Sequence, residues 1–146
     1  MAKVKYKPNH QVVIKAGQEA AEVIGKKFGA YVMTTAKQSI RKRKKTSAPD
    51  DPPGNKSGTL KKNIVFAYDT ATRTVAIGAR LLPGRTDAPE ALEQGKNTPR
   101  RVWVGKGKDQ KRVKKTVRIE ARPFMLPALE KRISELPQLW QNAIKK

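Results

Sequence analysis

Hydrophobic residues spaced four apart mark the first long element of the chain. They form one helical stripe made of Ala16, Ala20, Ile24, Phe28, Val32, Ala36 and Ile40. Because a helix repeats about every 3.6 residues, a strict spacing of four drifts by about 40° per step. The pattern therefore predicts a helix from about residue 12 to residue 40 whose winding apolar stripe contacts more than one neighbour. A basic arm, residues 1–11, precedes it.

Two glycines one turn apart, Gly25 and Gly29, lower the helix propensity of this stretch. Two explanations stay open at this point: another backbone approaches the helix closely there, or the helix simply tolerates the glycines. The helix is expected to run into the cations of residues 41–45, which the dipole at a helix C-terminus favours.

A change to alternating hydrophobic positions predicts a β-hairpin in the middle of the chain. A loop of residues 46–58, stiffened by Pro49, Pro52 and Pro53, separates this hairpin from the helix. Residues 59–62 are expected to enter the first strand, which continues to residue 68. A turn at residues 69–73 then leads to a second strand over residues 74–79.

Residues 80–112 form an irregular basic segment rich in proline and glycine. Within it, Asp87 has the position of a helix start and predicts a short helical turn that stops at Gly95. Residues 101–104 are compatible with a short strand. From Val113 the alternation returns and predicts a half-buried strand through Ala121, with residues 112, 114, 116, 118 and 120 on its polar face.

The last element is an amphipathic helix. Its hydrophobic seam consists of Leu126, Leu129, Ile133, Leu136, Trp140 and Ala143. Pro137 predicts a kink or a break near Leu136. These elements together predict the α+β class: a small, mostly antiparallel sheet of about three to five strands, covered by a long N-terminal helix and a C-terminal amphipathic helix. The length of 146 residues favours a single domain.

Charge adds an expectation about partners. The chain has 33 Lys and Arg against 12 Asp and Glu, a formal net charge of +21. A compact body with this charge repels itself unless salt or an anionic partner offsets it. DNA, RNA, an anionic membrane surface or an acidic protein ring would all serve. No apolar run approaches the length of a membrane span or of a signal-peptide core, so we expect a soluble protein made without a secretion signal.

Candidate catalytic chemistry is sparse. The chain has no cysteine and one histidine, His10, which excludes disulfides and thiolate zinc sites and makes a structural role for His10 the simpler interpretation. Asp50 and Asp51 are better explained as a solvated turn than as a cation site. The glycine-lysine stretches at residues 54–57 and 105–108 lack the spacing of a phosphate loop. We therefore expect no enzyme activity, no cofactor and no bound metal.

Two basic clusters are the stronger signal. We interpret them as contacts to DNA or to an acidic partner, against the alternative of a merely solvated face. Their members are Arg41, Lys42, Arg43, Lys44, Lys45, Lys106, Lys108, Lys111, Arg112, Lys114, Lys115 and Arg118. Such cations bind phosphates without sequence preference and lose affinity steeply with salt. Aromatic residues make up only 5% of the chain, so a stacking platform for single strands is not indicated.

Three stretches resemble one known family. The proline-rich loop followed by residues 57–64, Ser-Gly-Thr-Leu-Lys-Lys-Asn-Ile, resembles a Thr-Gly-x-Leu-x-x-Ser-Ile segment. Residues 91–95, Ala-Leu-Glu-Gln-Gly, resemble a Tyr-x-Glu-Phe-Gly turn, and residues 122–128 resemble an Arg-Pro-Phe-x-x-Pro-Ala signature ahead of the last helix. Order and spacing match over about residues 45–130. The family is that of the head-to-tail joining, or tail-completion, proteins of long-tailed bacteriophages.

The resemblance implies a structural virion protein that forms a ring at the neck, on the order of six or twelve copies. The ring would connect the portal and its adaptor to the tail tube or terminator and leave a channel for genomic DNA, with no membrane partner. The residues that carry the family signature are Gly58, Leu60, Ile64, Glu93, Gly95, Arg122, Pro123, Phe124 and Pro127. Of these, Pro123 and Pro127 are expected to fix the entry into the last helix, Phe124 to join the core, and Arg122 to bind a carboxylate or carbonyl groups.

Two other readings compete with a neck protein. A stand-alone, sequence-nonspecific nucleic-acid-binding protein explains the charge equally well but leaves the Arg-Pro-Phe signature and the proline loop unexplained. A small nuclease or toxin is a third reading, which lacks an evident acid and base pair. The sequence leaves open whether the ring is the tail-completion ring or an adjacent neck or terminator ring.

Overall fold

The computed structural model of the chain describes residues 9–43, 45–55, 57–80, 88–105 and 111–144. The predicted arm up to residue 8, Lys44, the predicted helix start at Asp87, Lys106 and Lys108 lie outside these ranges. The described elements are α1 (His10–Ser39), α2 (Thr59–Asn63), β1 (Ile64–Asp69), β2 (Thr74–Ala79), α3 (Ala88–Gln94), β3 (Lys96–Val104), β4 (Lys111–Ile119), α4 (Leu126–Ile133) and α5 (Leu136–Ile144).

The predicted α+β class is confirmed, with a long N-terminal helix and C-terminal helices that pack together. The described strands number four, within the expected range, but they are divided between two antiparallel pairs. One pair is β1 with β2, in a register that places Phe66 opposite Ile77. The other is β3 with β4, in which Val102 lies opposite Val113.

Helix α1 starts earlier and ends earlier than predicted. Asn9 is its N-cap and accepts a hydrogen bond from the Val12 amide, so His10 and Gln11 belong to the helix and not to the arm. At the other end Ile40 is extended, with φ −80° and ψ 107°, and its side chain is buried. The prediction that the helix runs into residues 41–45 is therefore wrong, because the chain leaves the helix to bury Ile40.

The two helix glycines allow close packing, but against side chains of the β1–β2 pair rather than a backbone. A Cβ added at Gly29 would lie 2.7 Å from Phe66 Cδ2, and one at Gly25 would lie 2.7 Å from Tyr68 Cε2. Val75 from β2 reaches both glycines. The apolar stripe of α1 contacts this pair on one side and α4 and α5 on the other, as its winding predicts.

The core lies where α1, α2, β1 and α4 meet. Its buried side chains are Val32, Ala36, Ile40, Leu60, Ile64, Phe124 and Ala128. Residues 59–63 contribute as a short helix and not as the beginning of a strand, which corrects the sequence prediction. The helical turn is favoured because it directs Leu60 and Ile64, four residues apart, into the same core.

The basic segment contains more regular structure than the sequence predicts. The helix α3 confirms the predicted turn before Gly95, and the short strand considered for residues 101–104 is confirmed. The strand extends back to Lys96, so residues 96–100 are not irregular. Pro99 is tolerated because both strands of a two-stranded sheet are edges, and an edge N–H need not pair. The partner strand β4 is exposed over residues 111–116, so its predicted half-burial is wrong except at Val117 and Ile119.

The predicted break near Leu136 is confirmed, since α4 ends at Ile133 and α5 starts at Leu136 with Pro137 in its first turn. The predicted seam is only partly buried. Leu126 and Ile133 are each 55% exposed, because α4 instead turns Ala128 and Arg132 towards α1. There the Arg132 Nε donates to Thr35 Oγ1 at 2.7 Å.

Candidate functional site

Glu93 on α3 caps the beginning of α4. Its Oε2 accepts the amide of Phe124 at 3.0 Å, its Oε1 accepts the amide of Leu126 at 2.8 Å, and both oxygens lie within 3.2 Å of the Met125 amide. The first amides of a helix have no partner within the helix, and a carboxylate there is favoured by the helix dipole. One side chain therefore fixes α4 against α3.

Arg122 ties the proline-rich loop to the end of the β3–β4 pair. Its Nε donates to the Ser47 carbonyl at 3.1 Å, and its Nη1 donates to the Glu120 carbonyl at 3.0 Å. The Asp50 amide donates to the Ala121 carbonyl at 2.9 Å, which adds a backbone link between the same segments. The prediction that Arg122 binds carbonyl groups is confirmed.

Gly95 allows α3 to end directly against residue 121. Its φ is +72°, and an added Cβ would lie 3.1 Å from the Ala121 nitrogen and 3.2 Å from the Ile119 oxygen. The Arg122 amide meanwhile donates to the Leu92 carbonyl, one of the last of the helix, at 2.6 Å. A side chain at position 95 would separate α3 from this strand exit.

The other residues of the family signature belong to the same region. Gly58, with φ +80°, precedes α2 and donates its amide to Asn55 Oδ1. Leu60, Ile64 and Phe124 share the buried core, and Pro127 lies in the first turn of α4, where a missing amide leaves no hydrogen bond unmade. Pro123 is half-buried beside Phe124. We call this meeting of the 46–58 loop, α2, α3 and the start of α4 the junction.

The two basic clusters lie in different settings. In the first, Arg41, Lys42 and Lys45 are exposed, whereas Arg43 is half-buried with a guanidinium nitrogen 3.9 Å from an Asp51 oxygen. In the second, the described cations are all exposed on β4, at Lys111, Arg112, Lys114, Lys115 and Arg118. The described cations of the second cluster therefore share one strand, whereas those of the first lie on a loop.

The β3–β4 pair, which we call the ribbon, has two different faces. Cross-strand partners share a face and successive residues alternate, so the register assigns each side chain. The cationic face consists of Arg101, Arg112, Lys114 and Arg118 around Trp103, which is 61% exposed. The valine face consists of Val102, Val104, Val113, Val117 and Ile119, with Lys96, Lys111 and Lys115.

The alternation predicted from the sequence for β4 is confirmed, but Arg101 and Trp103 were not among the predicted contacts. Their place follows only from the pairing of Arg101 with Lys114 and of Trp103 with Arg112. The Arg112 guanidinium carbon lies 5.2 Å from the centroid of the Trp103 ring, within the range of a cation–π contact. The sequence pattern predicts no strand over residues 96–100, so it does not specify this register.

Asp69 closes the turn between β1 and β2. Its Oδ1 accepts the Ala71 amide at 2.9 Å, and its Oδ2 accepts the Thr72 hydroxyl at 2.7 Å. The hydroxyl of Thr72, followed by the amides of Ala71 and Thr72, holds the pKa of the Asp69 carboxyl below its ordinary value of 3.8. The same hydrogen bonds stabilise the turn.

The described residues contain no group of three or more histidine, cysteine or acidic side chains arranged to hold a metal. An open cleft of about 760 Å³ lies between the 46–58 loop and the base of β4. It is lined by Arg43, Arg118, Arg122 and Glu120 among others.

Within the described ranges, no helix is both long enough and apolar enough to cross a bilayer. Comparisons with protein-family models, with curated proteins and with solved structures found no match to this chain.

Proposed function

We propose that this chain is a structural subunit of a tailed-phage virion. It would form a closed ring at the head-to-tail junction, between the portal and its adaptor and the tail tube, with a channel for DNA. The observation that carries the proposal is the unit defined above as the junction, where the 46–58 loop, α2, α3 and the start of α4 meet. The three stretches that resemble the joining proteins are far apart in sequence, yet Arg122, Glu93 and Gly95 bind them into one unit.

This convergence supports the resemblance because chance matches have no reason to meet in space. The Glu93 carboxylate requires the amides of the Arg-Pro-Phe stretch, and Arg122 requires the carbonyl of Ser47 in the proline-rich loop. Each matched motif supplies a partner to another. The motifs therefore behave as parts of one structural device, which needs neither an active site nor a cofactor.

The ribbon supports assembly with further copies. Nine residues per strand give it a length of about 30 Å. A two-stranded hairpin alone in water is marginally stable. On its valine face, Val104 is 52% and Val113 is 46% exposed, so contact with a neighbouring subunit would bury apolar surface there. A ring uses the same contact at every interface.

The oligomeric state of the full chain tests the proposal. Native mass spectrometry and negative-stain electron microscopy, with the chain alone and with its adjoining neck proteins, are expected to show a closed ring. Val113→Asp, on the valine face, should prevent ring formation. Thr116→Asp, on the cationic face of the same strand, adds the same charge and should leave the ring intact. A chain that stays monomeric with every neck partner would overturn the proposal.

A virion experiment tests the location of the ring. Phage particles that lack the chain are expected to accumulate as separate filled capsids and complete tails. Addition of purified chain should restore joining, and the Val113→Asp variant should not. Capsids and tails that join and deliver DNA normally without the chain would contradict a neck function.

The second candidate is a stand-alone, sequence-nonspecific nucleic-acid-binding protein. The specific observation in its favour is the cationic face of the ribbon, whose cations are all exposed. This candidate predicts a monomer that binds duplex DNA and remains outside the virion. Mass measurement and analysis of purified virions separate the two candidates.

A further inference from the structure

The two faces of the ribbon differ so strongly in chemistry that they suit different partners. The strands β3 and β4 contain no acidic residue. On the cationic face, Arg101, Arg112, Lys114 and Arg118 are exposed, and the other positions of this face are polar or proline apart from Trp103. On the valine face, Lys96, Lys111 and Lys115 are interspersed with the hydrophobic residues. On the cationic face, Arg118 pairs with Glu120, whose Oε1 lies 3.2 Å from the Arg118 Nε, whereas the other three cations form no ion pair within the part of the chain that the structure describes. Exposed cations that are not interrupted by aliphatic side chains are suited to a strongly anionic surface.

We propose that the cationic face of the ribbon binds the phosphate backbone of double-stranded nucleic acid, while the valine face contacts the next copy of the chain. The proposal deepens the proposed function and rests on it for its setting, the DNA in the channel of the ring. The binding itself is a property of one subunit and is measured separately.

The dimensions of the face match a duplex. Alternate residues of a strand are about 6.6 Å apart, close to twice the rise of about 3.4 Å between successive phosphates along one strand of DNA. From Arg112 to Arg118 the face extends six residue steps, or about 20 Å, the rise of about six base pairs. A two-stranded ribbon is also narrow enough for the major groove of DNA.

The residue types favour phosphate. Three of the four cations are arginines, whose planar guanidinium binds phosphate oxygens through two donors at once. Arg112 lies over the Trp103 ring, with its guanidinium carbon 5.2 Å from the ring centroid. A guanidinium held over a ring face can still donate from its edge to a phosphate. The exposed indole adds an apolar surface that can pack against the sugars. An acidic protein surface offers neither regularly spaced phosphates nor sugars. Binding to an acidic protein is therefore one of the outcomes that the experiment below distinguishes.

The central experiment compares two double variants that remove equal charge from opposite faces. Arg101→Gln with Lys114→Gln changes a cross-strand pair of the cationic face, and Lys111→Gln with Lys115→Gln changes the valine face of the same ribbon. Binding of the full chain to a fluorescein-labelled duplex of about 24 base pairs is measured by fluorescence anisotropy from 50 to 300 mM NaCl, a range over which phosphate contacts weaken strongly.

The cationic-face variant is expected to bind about tenfold more weakly near 100 mM salt and to reduce the slope of log K against log salt by about 1.8, which is 0.9 for each lost phosphate contact. The valine-face variant should change affinity by less than about twofold, because its cations face away from the duplex. Equal losses in both variants would overturn the proposal, since they would show a response to net charge alone.

A second readout places Trp103 at the contact. The chain has two tryptophans, so Trp140→Phe leaves Trp103 as the only reporter. Duplex addition to this variant should change its fluorescence, with the same midpoint as the anisotropy titration. An unchanged Trp103 signal at saturating duplex contradicts the proposed face.

Polyglutamate of the same charge as the duplex is the competitor that represents an acidic protein. Competition by polyglutamate as strong as that of unlabelled duplex would overturn the choice of nucleic acid as the partner. Tighter binding of a single strand of equal length would overturn the choice of the duplex form. The same preparations are weighed by native mass spectrometry. If the chain forms a ring but binds DNA equally through both faces, only the present inference is refuted. If the chain stays monomeric but binds DNA through the cationic face, only the proposed ring is refuted.

Discussion

Glu93 joins two elements through a single carboxylate, so its removal should destabilise the junction as a whole. Glu93→Gln replaces one acceptor oxygen by a donor and removes the charge, which leaves amides at the start of α4 without their partners. We expect a loss of about 1–3 kcal/mol in the free energy of unfolding, measured by urea denaturation.

The matched control lies on the same helix. Glu90→Gln removes the same charge from α3, but Glu90 is exposed, and its nearest cation is Lys96 with a 3.6 Å separation. Exposed pairs of this kind contribute little, so the change should stay within about 0.5 kcal/mol. Equal effects of the two substitutions would show that the cap contributes nothing specific.

Two glycines in the chain should respond in opposite directions to the same substitution. Gly95→Ala introduces a Cβ at φ +72° and within 3.2 Å of backbone atoms, so it should destabilise by more than about 1 kcal/mol. Gly17→Ala lies within α1 with nothing inside 4 Å of the added Cβ, and should stabilise by about 0.5–1 kcal/mol. Thermal unfolding of both variants checks the pair, and the same sign for both would contradict the geometry.

The turn at Asp69 should depend on acid. Because the folded chain lowers the pKa of this carboxyl below 3.8, its stabilising effect is present above that value and is lost as pH falls through the lowered pKa. An NMR titration should show the low pKa, and Thr72→Val should raise it, since the Thr72 hydroxyl is the largest cause. Thr70→Val is the control and should leave it unchanged.

At the scale of elements, the sequence predicted what short-range patterns control. The alternation around Phe66 specified the β1–β2 pair because its partner strand is only a turn away, and Pro137 specified the break between α4 and α5. The errors share a long-range cause. Residues 59–63 are helical, and α1 ends at Ser39, because Leu60 and Ile40 are buried in the same core as Phe124.

The candidate site was predictable to a similar extent. The resemblance named the residues of the junction, but the contacts of Glu93 with α4 and of Arg122 with Ser47 link positions 31 and 75 residues apart. No local pattern specifies such a pair. The cationic face required the register of a strand that contains Pro99, a residue that argues against a strand when the sequence is considered alone.

The ribbon should be the least protected regular element of the isolated chain. Its outer half, residues 101–104 and 111–116, has little buried side-chain surface, so its hydrogen bonds open without disrupting the core. Hydrogen exchange followed by mass spectrometry should show faster exchange there than in the β1–β2 pair. In the assembled ring the ribbon should become protected while β1–β2 stays as before. Equal protection of the ribbon in ring and monomer would place the subunit contact elsewhere.

At the scale of the whole molecule, the charge of +21 opposes both folding and assembly. The described ion pairs include exposed ones such as Lys15 with Glu19, which offset little of this repulsion. The Debye length falls from about 30 Å at 0.01 M salt to about 10 Å at 0.1 M. Since 30 Å is comparable to the length of the ribbon, low salt leaves charges across the whole chain in mutual repulsion.

The melting temperature of the full chain should therefore rise by a few degrees between 10 and 300 mM NaCl at constant pH. A rise of this size corresponds to about 1 kcal/mol of repulsion removed by the salt. A ring brings many copies of the same charge together, so its formation should need salt more than folding does. At 10 mM salt, duplex DNA should replace the salt and restore the ring. Glucose at equal osmolality is the neutral control. A melting temperature that falls with salt would show that attraction between charges, and not repulsion, dominates this protein.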